Sequence, residues 1–235
     1  MKKLKAVTEY FTKNELILLI SSVVLIILSF IVFDRVNYLT LIASLIGAVS
    51  LLLNAKGNPA GQLLTVVFSI IYSIISYSFC YYGEMVTYLG MTAPMAVFSF
   101  ISWIRNPYNG NRSQVKINRL SRKEIIFMLF LTSGVTVLFY FILSFFHTAN
   151  IFFSTISVTT SFIAAYLTFR RSPFFALAYA SNDIILIILW TLAAISDISY
   201  LSVIICFIMF LANDIYGFIN WKKLQQRQAA GNKAD

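Results

Sequence analysis

The sequence predicts an all-α membrane protein of eight transmembrane helices, and three observations carry that class. Of the 235 residues, 59% are hydrophobic and only 11% charged, with a mean hydropathy of +0.81. That is more apolar side chain than one soluble core of this size can hide. Apolar runs long enough to cross a bilayer core recur eight times. The cations also segregate: counted by alternating connections, 17 of the 18 Lys and Arg fall on one side and only Arg35 on the other. The positive-inside rule makes the side with 17 cytoplasmic, both termini included, and omitting any one span would scramble the segregation.

The first run, Glu15–Phe33, ends at Phe33-Asp34-Arg35 without an Ala-x-Ala-like site, so a retained span is expected rather than a signal peptide. The second, Tyr38–Leu53, is followed by Lys56-Gly57-Asn58-Pro59, and the third is Gln62–Tyr82. The fourth, Met85–Ile104, contains Pro94, whose missing amide proton frees a carbonyl. A basic connection, Arg105–Lys123, carries the turn signals Asn106-Pro107 and Asn109-Gly110. The remaining runs are Glu124–Phe146, Ile151–Phe169, Pro173–Ala194 and Ser199–Ile219, and a short polar tail follows Trp221. No stretch is left for a soluble domain. The net charge of +9 is accounted for by orientation and anionic headgroups, so nucleic acid is not expected as a partner. Trp103 and Trp221, at the cytoplasmic ends of their spans, are expected in the aromatic belt. Glu84, in Tyr81-Tyr82-Gly83-Glu84, reads as a solvated cap at an outer turn. Cys80 and Cys206 support neither a disulfide framework nor a metal site, and His147 has no clustered ligand partner. No cofactor is expected.

The chain also reads as internally repeated. Lys56-Gly57-Asn58-Pro59 and Arg170-Arg171-Ser172-Pro173 lie 114 residues apart; Ser99-Phe100-Ile101-Ser102-Trp103 and Gly217-Phe218-Ile219-Asn220-Trp221 lie 118 apart. Spans two to four and six to eight would be two copies of a three-helix unit, and span five restores the second copy to the orientation of the first. The layout is then an extra N-terminal helix (1–36), a first triplet (37–104), the basic loop (105–123), a linker helix (124–147), a second triplet (148–221) and a tail (222–235). Parallel repeats of this kind place substrate sites near midplane at the repeat interface.

Polar residues within spans are costly in hydrocarbon, so their helical faces locate a candidate pathway. The third span carries Gln62, Thr65, Ser69, Tyr72, Ser73 and Ser76 on one stripe. The seventh contributes Tyr179, Asp183 and Trp190, with Asn182 beside them. The eighth contributes Asn213, Tyr216 and Asn220, with Asp214 displaced around the helix, and the fourth Tyr88, Thr92 and Ser99. Serines of this kind also serve as hydrogen-bonding glue between helices. Asp183 differs, since no span contains a Lys or Arg to pair with it. Aromatic rings on the faces of Asp183 and Asn213 would form a slot for a flat, hydrogen-bonding ligand.

Over about residues 40–222 the sequence resembles the PnuC-type vitamin and nucleoside transporters, relatives of the SWEET sugar carriers. The resemblance is carried by Lys56-Gly57-Asn58, Tyr82-Gly83-Glu84-Met85, Pro94-Met95 with Trp103, the Arg-Arg-Ser-Pro that opens span seven, and Asn213-x-x-Tyr216-Gly217 with Trp221. It implies a homotrimeric facilitator of the 3+1+3 type with an added N-terminal helix, set in a bacterial inner membrane. It further implies a nucleoside-like substrate, typically nicotinamide riboside, with net uptake driven by a cytosolic nucleoside kinase. Two departures stand out. The Trp-x-x-Trp-x-x-x-Asn usual in span seven reads Ala176, Tyr179 and Asp183, and the polar residue usual after Pro-Met is Ala96. They leave a deoxynucleoside or thiamine facilitator as a rival. The expected substrate-binding set is Gln62, Ser69 and Tyr72; Tyr88 and Thr92; Tyr179, Asn182, Asp183 and Trp190; and Asn213, Tyr216 and Asn220. A non-transporting receptor or structural protein would leave polar stripes on several helices unexplained. An intramembrane enzyme would need a nucleophile–base pair or a metal cluster, which the spans do not supply.

Overall fold

The computed structural model describes residues 10–78 and 82–231. Among them are eight helices long and apolar enough to cross a membrane. They are α1 (Lys13–Phe33), α2 (Tyr38–Ala55), α3 (Pro59–Ser78), α4 (Tyr82–Ile104), α5 (Arg122–Phe145), α6 (Ile151–Phe169), α7 (Phe174–Ala194) and α8 (Leu201–Gly231). Cys80 lies outside the described residues; Cys206 is buried as a free thiol. Large apolar side chains such as Ile126, Phe130, Phe141 and Phe145 on α5 are 65–77% exposed, as a lipid-facing surface requires.

Six helices form a closed ring. α2 packs on α3, α3 on α4, α4 on α6, α6 on α7, α7 on α8, and α8 back on α2. α1 lies outside the α8–α2 junction and α5 outside α6, touching the start of α4. Small side chains let α2 and α3 approach closely: a Cβ at Gly61 would stand 2.7 Å from the Asn54 backbone nitrogen and 2.2 Å from its Oδ1.

The basic end of the ring is tied by bonds that come in pairs. Trp221 Nε1 donates to the Asn54 carbonyl (2.8 Å) and Trp103 Nε1 to the Thr168 carbonyl (2.9 Å). Asn220 Nδ2 donates to Ala55 O and Ser102 Oγ to Phe169 O. Each donor on α8 sits 118 residues after its counterpart on α4, and each acceptor on α6 sits 114 after its counterpart on α2. The indoles are 0% exposed with ring centroids 5.3 Å apart. This corrects the expectation of an aromatic belt: both Trp side chains face inward because helix-end carbonyls need donors where water is scarce.

The turns after α2 and α6 match as well. Gly57 (φ 70°) and Arg171 (φ 57°) are left-handed. Asn58 and Ser172 donate their amides back to Leu53 O and Leu167 O, which satisfies the last carbonyls in a Schellman closure. The basic loop crosses both turns, with Val115 N donating to Gly57 O and Asn118 N to Arg171 O. It forms a hairpin of β1 (Pro107–Tyr108) and β2 (Asn111–Val115) around Asn109-Gly110, where positive φ at both residues suits the two-residue turn. The segment expected as a polar tail continues α8 to Gly231. Its Gln228 bonds the loop on both sides of Lys116, at Val115 O and Ile117 N.

Because the Asn54 backbone cannot yield as a flexible side chain would, Gly61→Ala is expected to destabilise the fold by about 1–3 kcal/mol. A lower thermal unfolding midpoint in detergent is the readout. Gly134→Ala, where nothing lies within 4 Å of the added methyl, serves as the neutral control.

Candidate functional site

Helix α7 is polar near its middle, at Tyr179, Asn182 and Asp183. Asp183 is the tenth residue of its 21 and is 4% exposed. It lines a chamber to which all six ring helices contribute. From α2 come Ser50 and Asn54; from α3, Gln62, Thr65 and Phe68; from α4, Tyr88 and Thr92; from α6, Ser161; from α7, Tyr179, Asn182 and Asp183; from α8, Phe207, Phe210 and Asp214.

Hydrogen bonds hold much of this wall in place. Gln62 Nε2 donates to Asn54 Oδ1 (2.8 Å), and Ser50 Oγ donates to Gly61 O while lying 2.8 Å from Thr65 Oγ1. Asn182 Oδ1 accepts from Ser157 and Thr160, which fixes the amide with its NH2 as the remaining donor. α4 reaches the chamber through a π-helical turn, Tyr88–Thr92, directly before Pro94. The wider turn is the local response to a residue that cannot donate, and such bulges recur at functional sites. Towards the end opposite the cations, Phe68, Tyr72 and Tyr88 pack together, with Tyr72 and Tyr88 centroids 4.5 Å apart. Towards the basic end lie Phe175, Trp103 and Trp221.

The electrostatics are one-sided. Asp183 and Asp214, each 4% exposed, are within direct interaction range of one another. Asp183 Oδ2 has no hydrogen-bond partner. Among the described lining residues there is no Lys, Arg or His. Two buried carboxyls without a counter-ion cost several kcal/mol unless a proton or a bound cation offsets them.

Of the expected binding residues, Gln62, Tyr88, Thr92, Tyr179, Asn182 and Asp183 meet at this chamber. The others do not line it. Ser69 bonds back to Thr65 O, and Tyr72 borders a smaller cavity beside Trp190, which lies seven residues, or about 10 Å, beyond Asp183 along α7. Asn213 and Tyr216 face α1, bonding Ser22 and Glu15 respectively. Asn220 takes part in the closure of the basic end. Asp214, which the sequence reading displaced from the polar row of α8, is the polar residue of that helix that lines the chamber, beside Phe207 and Phe210. Asp214 and Asn213 are 100° apart on a helix, and only the docking of α1 on α8 decides which of them faces inward. Ser161 on α6 is a further lining residue that the sequence does not single out, because it closes the run Ser154, Thr155, Ser157, Thr159 and Thr160, whose hydroxyls can equally serve as glue between helices.

Glu84 corrects a further expectation. Its Oε2 is shielded from solvent and without a partner, not a solvated cap.

The family of nicotinamide mononucleotide transporters matches residues 37–223, which run from α2 into α8. A relative, the nicotinamide riboside transporter PnuC of Neisseria mucosa, is 24% identical over 202 residues, covering 84% of this chain and 77% of its own. The crystal structure of the vitamin B3 transporter PnuC shares the fold at a TM-score of 0.80 and 24% identity, covering 93% of this chain and 94% of that one. The match over most of the ring, with the same architecture, assigns the chain: it is a multi-pass membrane protein belonging to the nicotinamide mononucleotide transporter family.

Proposed function

We propose that this transporter carries nicotinamide riboside, and that the single observation carrying this reading is the pair of buried carboxyls, Asp183 and Asp214, in a chamber with no lining cation. Nicotinamide riboside is an N-glycosylated pyridinium, a flat cation bearing a carboxamide and ribose hydroxyls. Its charge offsets the carboxyls, Tyr88 and Tyr179 offer ring faces, and Asn182 offers its amide to the carboxamide or ribose. The carboxylate of Asp183, where the PnuC resemblance expects an amide, fits a cationic solute better than a neutral deoxynucleoside. Thiamine, also a cation, is the second reading supported by the same charge.

The same electrostatics disfavour the phosphorylated nucleotide. A phosphate monoester brings up to two negative charges to a site that already holds two acids, and in a low-dielectric chamber that repulsion is worth several kcal/mol. Phosphorylation by a cytosolic nucleoside kinase would therefore trap the solute, and no ion gradient is needed for net import. We place the protein in a bacterial inner membrane as a homotrimer with both termini cytoplasmic, supported by the family resemblance and the segregation of 17 cations to one side. The two triplets rock about the chamber, and the paired bonds of Trp103 and Trp221 are the ones released when the basic end opens.

Purified protein should be stabilised against heat by nicotinamide riboside, since a ligand that binds only the folded state raises the midpoint. Its 5′-phosphate and neutral deoxynucleosides should give no shift; stabilisation by deoxynucleosides alone would remove the cation argument. Asp183→Asn and Asp214→Asn are each expected to weaken riboside binding at least tenfold, about 1.4 kcal/mol, with fold and oligomeric state retained. Isothermal titration measures that loss. In vesicles, a protonophore should leave riboside counterflow unchanged, whereas arrest would show that the acid pair moves protons.

A further inference from the structure

The chamber is not the only polar space in the ring. At the end opposite the cations a cavity of about 210 Å³ is walled by Glu84 at the start of α4, by Thr148 and Asn150 in the α5–α6 connection, by Ser154 on α6, and by the last turns of α7. A second, much narrower cavity continues inward between α4 and α6. The two share Glu84 and Ser154 as walls, and the smaller one in turn shares Tyr88 and Ser161 with the central chamber. Three cavities thus follow one another along a single seam, with a common pair of residues at each junction.

The groups at the outer junction are unsatisfied. Glu84 Oε2 and Thr148 Oγ1 are both shielded from solvent and lack hydrogen-bond partners. No Lys, Arg or His lines either cavity among the described residues. A buried carboxylate oxygen left unpaired costs stability, and such groups are retained where they meet something that moves. The backbone at Gly83 lies close against it, since a Cβ there would come within 2.5 Å of Thr148 Oγ1 and Leu143 Cδ2. α4 and the α5–α6 connection are therefore pressed together where the carboxylate is presented.

We propose that the seam between α4 and α6 is the outer access path to the chamber, that Glu84 is a waiting station for a cationic solute, and that Tyr88 is the plug between station and chamber. The proposal rests on the reading of the chamber as a cation site and on the orientation that places the Lys and Arg in the cytoplasm. A cation drawn to Glu84 exchanges one carboxylate for the Asp183 and Asp214 pair farther in, so its charge is offset at both stations. The side chain that must swing aside, Tyr88, lies on the π-helical turn, where the ladder of backbone bonds is already widened.

The test uses Ser154→Cys in a chain in which Cys80→Ser and Cys206→Ala remove the native thiols. Intact spheroplasts are treated with membrane-impermeant methanethiosulfonates bearing either a trimethylammonium or a sulfonate group, and the labelling rates are measured. The cationic reagent is expected to react about tenfold faster, at the low end of what a focused field gives. Adding Glu84→Gln should abolish the preference, Glu84→Asp should retain it, and nicotinamide riboside should slow the labelling. A thiol that reacts only after unfolding, or a charge preference that survives Glu84→Gln, overturns the proposal. Charge-selective labelling that nicotinamide riboside fails to slow supports the path and overturns the substrate instead.

Discussion

The ring depends on one constraint, that backbone carbonyls left open at helix ends inside a membrane protein must find donors in the protein itself. Here the donors come from across the ring. Trp221 and Asn220 on α8 close the end of α2, while Trp103 and Ser102 on α4 close the end of α6. Each junction between the triplets is thereby made by groups that one triplet cannot satisfy alone. Losing one indole strands a buried carbonyl and empties the volume of the largest side chain in the core, so the two halves are held as a pair. The matching offsets of 114 and 118 residues support a two-fold relation between the triplets, with the chamber between them.

Most of the polar groups in the spans are committed to this framework. Ser69 and Ser73 bond back along α3, Gln62 is tied to Asn54, and Asn213 to Ser22. What remains for a solute is a short set, the acid pair, the Asn182 amide, Tyr88 and Tyr179. That partition gives the chamber wall two parts: groups satisfied by neighbours hold the shape, and the buried carboxyls set the charge. Aromatic clusters flank this set along the helices, Phe68 and Tyr72 on one side and Phe175, Trp103 and Trp221 on the other.

Features governed by the solvent were legible in the sequence. Eight spans follow from hydropathy, and the structure moves most span ends by only a few residues. α8 is the exception: it runs on to Gly231 because Leu224 and Gln228 are buried against the basic loop, and a helix stabilised by such long-range contacts carries no hydropathy signal. Within the site, one-dimensional spacing found the polar face of α7, where a single stripe faces a single space. It misassigned α8, which is packed by α1 on one side and α7 on the other, so both its polar faces are buried and only tertiary packing tells them apart. The Trp residues misled for a related reason. Position near a span end says that an indole needs a polar partner, not whether that partner is a headgroup or a helix-end carbonyl.

The paired architecture reaches beyond the triplets to the helix that the family match leaves out. α1 opens with Thr12 capping the amide of Glu15, and α5 opens with Ser121 capping the amide of Glu124. Glu15 then binds Lys56 and Glu124 binds Arg170, cations that stand at equivalent places 114 residues apart. In each case a helix outside the ring uses its third residue to grip the last cation before a left-handed turn. Glu15 is the more deeply set of the two, 2% exposed and also accepting from Tyr216. An acid buried so far needs both partners, and they come from α2 and α8, the two helices that meet at that junction. α1 therefore braces one junction of the ring while α5 flanks the other, and the added N-terminal helix is as much part of the transporter's frame as the helix that links its two triplets.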